Sequence, residues 1–173
     1  MKLRAMPVML SLISTLALLF GGWYTYQHFY IKQPVQDYIA SKNDLVLNDL
    51  RITQDQVIVD IDFKNPERFV SEYKELNQYL QEQMNGKEIS IRLPQYGEEM
   101  KKLWEKEYFG VAEAIQTKEY SKIPLMVEQM KEKEHLQQAM ARMDEDFVYL
   151  YLKDDSDHIY AVLPLKEGVN DLE

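Results

Sequence analysis

A chain of 173 residues with no cysteine and a net charge of −9 excludes several classes at once. Disulfide scaffolding, thiol chemistry and cysteine metal sites are ruled out, and the acidic balance argues against nucleic acid and against an electrostatic grip on anionic headgroups. Positions 32–173 carry 18 basic and 29 acidic residues, a net charge of −11, on a length of about 140 residues that can bury one core unaided.

From Ala5 to Ile31 no residue carries a formal charge. At ~1.5 Å per residue such a helix reaches ~40 Å, enough to cross a ~30 Å hydrocarbon layer with tilt. Residues 1–31 therefore read as a signal-anchor transmembrane helix, with the lipid bilayer as partner of residues 5–31. Trp23, Tyr24, Tyr26, Phe29 and Tyr30 suit the interface where it leaves the membrane. Lys2 and Arg4 place the N-terminus in the cytoplasm and residues 32–173 outside. Cleavage is not expected, because neither Ala17 nor Gly22 ends an A-x-A-like site. Residues 32–43 form a juxtamembrane connector, in which Pro34 suits the start of a short helix over 35–40.

Residues 44–168 read as one extracytoplasmic α+β domain, and 169–173 as a tail. Asp44 to Ile52 predicts a strand, with Leu45 and Leu47 on one face and Val46, Leu50 and Ile52 on the other. Val57, Val59, Ile61 and Phe63 alternate with Ile58, Asp60, Asp62 and Lys64, the pattern of a half-buried strand. Asn65-Pro66-Glu67 predicts a helix start, and Phe69, Tyr73, Leu76, Leu80 and Met84 make one apolar stripe. Gly86 ends it. Ile89, Ile91 and Leu93 form a strand that completes a ββαβ unit.

Met100, Trp104, Tyr108, Val111 and Ile115 form a second helical stripe. After a break at Thr117–Tyr120, Ser121 is an N-cap candidate for a helix carrying Ile123, Val127 and Met130. Residues 136–143 fit helix or strand. Val148, Leu150 and Leu152 alternate with Tyr149 and Tyr151, Asp154-Asp155-Ser156-Asp157 turns, and Ile159 to Leu163 returns as a hairpin partner. The two units, ββαβ and ααβ(β)β, are expected to share a mixed or antiparallel sheet.

This layout is similar to that of uncharacterised single-pass membrane proteins of Gram-positive bacteria. The likeness lies in the membrane helix, the ββαβ unit, Phe109-Gly110-Val111-Ala112-Glu113-Ala114-Ile115, the acidic turn Asp144-Glu145-Asp146, Val148-Tyr149-Leu150-Tyr151-Leu152 and Ile159-Tyr160-Ala161-Val162-Leu163-Pro164. It implies a strand at 137–143 and a three-stranded meander, but no activity. The ββαβ half also looks like small interaction modules of envelope assembly complexes, by fold alone.

The residues carry no constellation strong enough to name a chemistry. His28, His135 and His158 lack ligand spacing. The runs Asp144–Asp146 and Asp154–Asp157 lack EF-hand spacing and suit turns, where aspartate bonds its own backbone. Asp60 and Asp62 sit on a polar strand face without a nucleophile motif. No catalytic, cofactor-binding or metal-binding residue is assigned, and no cofactor is expected. Tyr149, Tyr151 and Tyr160 lie opposite the apolar face of the terminal hairpin, and exposed rings there would form a partner surface. The expected function is a non-enzymatic interaction or scaffolding module of the bacterial cell envelope, engaging another envelope protein. The alternatives are an extracytoplasmic ligand-binding or sensory domain and, behind it, an envelope hydrolase.

Overall fold

The structure, a computed structural model, describes residues 5–84, 86–94 and 96–165. Strands β1 (Leu45–Ile52) and β2 (Gln56–Phe63) pair antiparallel. Leu47 faces Ile61 while Asp49 faces Asp60, so Asn48 is an extra residue bulged out of the ladder. A bulge reverses the alternation of side chains beyond it. Leu45, Leu47, Leu50 and Ile52 therefore stand opposite Phe63, Ile61, Val59 and Val57 on one shared apolar face. This corrects the expectation that Leu45 and Leu47 oppose Leu50 and Ile52, since strict alternation cannot see an inserted residue.

Helix α3 (Phe69–Gln83) follows, with Phe69, Tyr73, Leu76, Leu80 and Met84 all buried as its stripe requires. Its start lies beyond the expected one. The Asn65 carboxamide accepts the Glu67 N–H at 3.1 Å, and the Asn65 carbonyl accepts the Arg68 N–H at 3.1 Å. Asn65 therefore closes a tight turn before the helix rather than capping it. Gly86 follows the helix at φ 84°, a conformation that costs glycine nothing. Strand β3 (Glu88–Arg92) pairs parallel with β2, so α3 is the crossover that parallel pairing demands.

In the second half, α4 (Glu98–Gln116) and α5 (Lys122–Lys133) are joined by a sharp stop. Lys118 sits at φ 59°, and the Glu119 N–H reaches back to the Ala114 carbonyl at 2.8 Å. His135 does the same after α5, at φ 54°, with the Leu136 N–H on the Lys131 carbonyl at 3.0 Å. Both are Schellman-type ends built without glycine. Ser121 precedes α5, but its hydroxyl makes no capping bond.

Strands β4 (Gln138–Met143), β5 (Phe147–Lys153) and β6 (His158–Pro164) form an antiparallel meander, which settles the ambiguous stretch as strand. Val148, Leu150, Leu152 and Ile159 pack with Met100, Val111, Ile123, Val127 and Met130 of α4 and α5. The fold is thus mixed α+β, with five α-helices and two three-stranded sheets among the described residues. The single shared sheet is corrected: β1-β2-β3 is one mixed sheet, and β4-β5-β6 is a separate antiparallel one.

The chain divides into two units, residues 1–43 and 44–173. In the first, α1 (Ala5–Tyr26) runs into a π-helical turn (Gln27–Lys32) and then α2 (Gln33–Ala40), with Pro34 in its first turn. Lys2, Arg4, the His28 side chain and everything from Lys166, including the tail 169–173, lie outside what is described. Among the described residues no helix is long and apolar enough to cross a membrane; the side chains of Ala5, Val8 and Tyr26 in α1 lie outside the described ones.

The bulge supplies a direct test. Asn48 is exposed, so Asn48→Ala should change stability in urea by less than about 0.5 kcal/mol. Deleting Asn48 should turn Leu45 and Leu47 off the apolar face and cost at least one leucine burial, about 1.5–3 kcal/mol. Equal effects of the two changes would contradict the bulge.

Candidate functional site

The three tyrosines of the terminal hairpin are buried, not displayed. Tyr149, Tyr151 and Tyr160 retain 0%, 5% and 2% of their surface. They stand on the face of the β4-β5-β6 sheet opposite α4 and α5, where the other half of the domain covers them. The Phe69 ring lies 4.5 Å from Tyr160 and 5.9 Å from Tyr149; Tyr73 lies 5.7 Å from Tyr149; Phe63 lies 5.7 Å from Tyr160. The Tyr160 hydroxyl donates to the Phe63 carbonyl at 2.9 Å. Burial raises the pKa values of all three phenols above the usual range. The expected exposed partner surface is therefore corrected. The sheet has apolar cover on both faces, which alternation along one hairpin cannot reveal.

A polar rim surrounds this seam. Arg142 of β4 meets Glu67 at 2.9 Å, and His158 Nε2 lies 3.6 Å from Asp62 Oδ1. Asp62 is thus half-buried against the second sheet rather than facing open solvent. Asp60 lies 3.4 Å from Arg51 on the neighbouring strand. The Asp154–Asp157 run is a turn, as expected: Asp154 Oδ1 accepts the backbone N–H groups of Ser156 and Asp157, both at 2.6 Å. Among the described residues, no three His, Asp or Glu side chains converge as a metal site would need.

On the same rim, a groove of about 420 Å³ opens between α3 and the β4–β5 turn. One wall is the polar side of α3, where Lys74, Asn77, Gln78 and Gln81 recur at helical spacing. The other wall is Asp144, Asp146 and Phe147 of the turn, with Tyr149 behind it. Pro164 is held at the end because the Leu165 N–H bonds the Asp146 carbonyl at 2.8 Å. Reading the chain for apolar stripes passes over this α3 face. The repeated amides at 77, 78 and 81, on the side opposite the stripe, were the available signal.

Asp144 organises the groove. Its Oδ1 accepts the Asp146 and Phe147 N–H groups at 2.8 and 2.9 Å. Its Oδ2 accepts the Tyr149 hydroxyl at 2.8 Å and lies 3.2 Å from Lys74 Nζ. Partial burial works against its charge, but the two backbone donors, the phenol and the ammonium outweigh it and hold the carboxyl down at about 2. Lys74 is thereby neutralised. Asn77 and Gln81 make no side-chain hydrogen bond among the described residues, whereas Gln78 donates to Glu82 at 2.9 Å.

A carboxyl lowered from 3.8 to about 2 stabilises the fold above its unfolded value and loses that contribution as pH falls toward 2. The raw shift corresponds to about 2.4 kcal/mol, and screening at the groove surface brings this to about 1–2 kcal/mol. Asp144→Asn should therefore be less stable than the parent by that amount at neutral pH, with the difference gone by about pH 2 in acid-denaturation curves. In the same assay Tyr149→Ala should cost as much as Leu150→Ala, about 3–5 kcal/mol, because both are core residues. No protein-family model, curated protein or solved structure matches the chain, so the role of this groove has to follow from its own residues.

Proposed function

We propose that this chain is a membrane-anchored protein whose domain from residue 44 works outside the cytoplasmic membrane as a non-enzymatic interaction module of the bacterial cell envelope. The observation that carries the reading is the surface of α1. Met9, Leu10, Leu12, Ile13, Leu18, Leu19 and Phe20 point around the whole circumference and are all exposed. A helix apolar on every side is stable only in apolar surroundings that cover those side chains. Lipid does so most simply: 22 uncharged residues span ~33 Å as helix, with Trp23, Tyr24 and Phe29 at the polar end.

The interaction role is supported by a second exposed feature. Along α4, Trp104, Tyr108 and Phe109 form a run of neighbouring rings at 5.7 and 6.0 Å. Phe109 is 75% exposed and Leu125 of α5 is 61% exposed. These two flank a close approach of the helices, where a Cβ on Gly110 would stand 2.6 Å from Met126 Cε. Aromatic rings are enriched at protein interfaces. A second reading, an extracytoplasmic ligand-binding domain, is favoured by the convergent polar groups of the groove.

Two measurements test the anchor and its orientation. Leu12→Arg with Leu16→Arg should move the protein out of the membrane fraction, since each arginine costs ~2.5–3.5 kcal/mol at a helix centre. A C-terminal tag should be reachable by protease or antibody from outside intact protoplasts; a tag reachable only after lysis overturns the orientation. In-cell crosslinking should capture one stoichiometric partner, and Phe109→Ala should abolish that capture while leaving the melting temperature unchanged.

A further inference from the structure

We propose that the groove between α3 and the β4–β5 turn binds a short, uncharged, hydroxyl-rich ligand, a neutral oligosaccharide segment. The inference stands whether or not α1 crosses a bilayer.

Charge removes the first alternatives. Among the described residues the one cation in the lining, Lys74, is held by Asp144 at 3.2 Å. Phosphate, carboxylate and nucleotide ligands find no unshared cation there among those residues. Wholly apolar ligands would bury polar side chains without replacing their bonds to water.

The amides supply the positive case. Asn77 and Gln81 stand one helical turn apart, with ~5–6 Å between their Cβ atoms. Neither amide makes a hydrogen bond within the described protein. Each offers two donors and one acceptor, a set suited to hydroxyl groups, which both give and receive. Phe147, half-buried in the opposite wall, and Pro164 present C–H surface for the apolar face of a sugar ring. The volume of about 420 Å³ lies within the ~300–1,000 Å³ of small-molecule clefts.

An extended peptide fits less well. Peptides commonly add to an open strand edge, where main-chain bonds provide the affinity. The strand residues lining this groove are Phe147 and Tyr149 of β5, the central strand, whose backbone groups already pair with β4 and β6, and Pro164 at the end of β6, which has no N–H to offer a peptide.

The test uses the full chain in phosphatidylcholine nanodiscs, prepared without sugar-based detergents. Cellotetraose, maltotetraose and chitotetraose are titrated by calorimetry and by NMR of side-chain amides. At least one should bind with micromolar to millimolar affinity and shift the Asn77 and Gln81 amide resonances. Asn77→Ala with Gln81→Ala should weaken it tenfold or more at an unchanged melting temperature. The proposal is overturned if none of the three perturbs those amides at millimolar concentration. It is equally overturned if binding survives the double substitution, or if tetra-alanine or inorganic phosphate binds more tightly than every sugar. Should the double variant fail to fold, the titration of the unsubstituted protein still decides between these outcomes.

Discussion

Everything beyond residue 44 depends on the ring-packed seam between the two sheets. Phe63, Phe69 and Tyr73 from the first half meet Phe147, Tyr149 and Tyr160 from the second. Each such ring pair contributes about 0.5–1.5 kcal/mol beyond its buried area. The larger consequence is geometric. Because the tyrosine face of β5 and β6 is covered by this seam and the leucine face by α4 and α5, the second sheet is an inner layer. It keeps its own three strands instead of extending the first sheet. The seam also brings the polar side of α3 beside the β4–β5 turn, and that juxtaposition is the groove.

At two seam positions tyrosine suits better than phenylalanine would, because the hydroxyl has a fixed destination. Tyr160 bonds the Phe63 carbonyl, and Tyr149 bonds Asp144. A buried hydroxyl without a partner costs about 1–3 kcal/mol, so the Tyr160–Phe63 bond penalises sliding of one half against the other, while the Tyr149–Asp144 bond ties the β4–β5 turn to its own strand. Asp144 extends the same constraint outward. One carboxylate closes its own turn, receives a core phenol and neutralises a lysine from α3. The result is a wall in which the Asp144 charge is shared with Lys74, facing Asn77 and Gln81, whose amides make no hydrogen bond among the described residues.

Much of the local structure was legible in the sequence. The α3 stripe, the alternation of Val57 to Phe63, the breaks after α4 and α5 and the terminal hairpin all follow from spacing, because periodicity reports which side of an element faces apolar matter. What spacing cannot report is how many sides are covered. Tyrosine between leucines reads as the outer face of a hairpin, yet here it is a second inner face. The Asn48 bulge was hidden for a related reason: Leu45, Leu47, Leu50 and Ile52 break strict alternation, and only pairing with an unbroken partner strand restores their common face. The groove was illegible because its walls lie about 70 residues apart in sequence, and neither Asn77 nor Asp144 carries a recognisable motif alone.

The contrast between α1 and α3 lies in how the apolar side chains are distributed around each helix. Both helices are rich in large side chains, but α3 spends them on one stripe and keeps Lys74, Asn77, Gln78 and Gln81 for the opposite side. Its single apolar face has a counterpart within the chain, and its stability comes from that packing. In α1 the apolar residues have no period, so no single face of protein could cover them. Turning such a helix about its axis exchanges one exposed apolar side for another, and folding against a domain would leave most of them in water. Only surroundings that are apolar in every direction remove the cost, and a bilayer is such a medium. That distinction rests on the angular distribution of side chains rather than on their total hydrophobicity. It is why the membrane reading of residues 5–31 and the amphipathic reading of residues 69–83 can be drawn from the same physical rule.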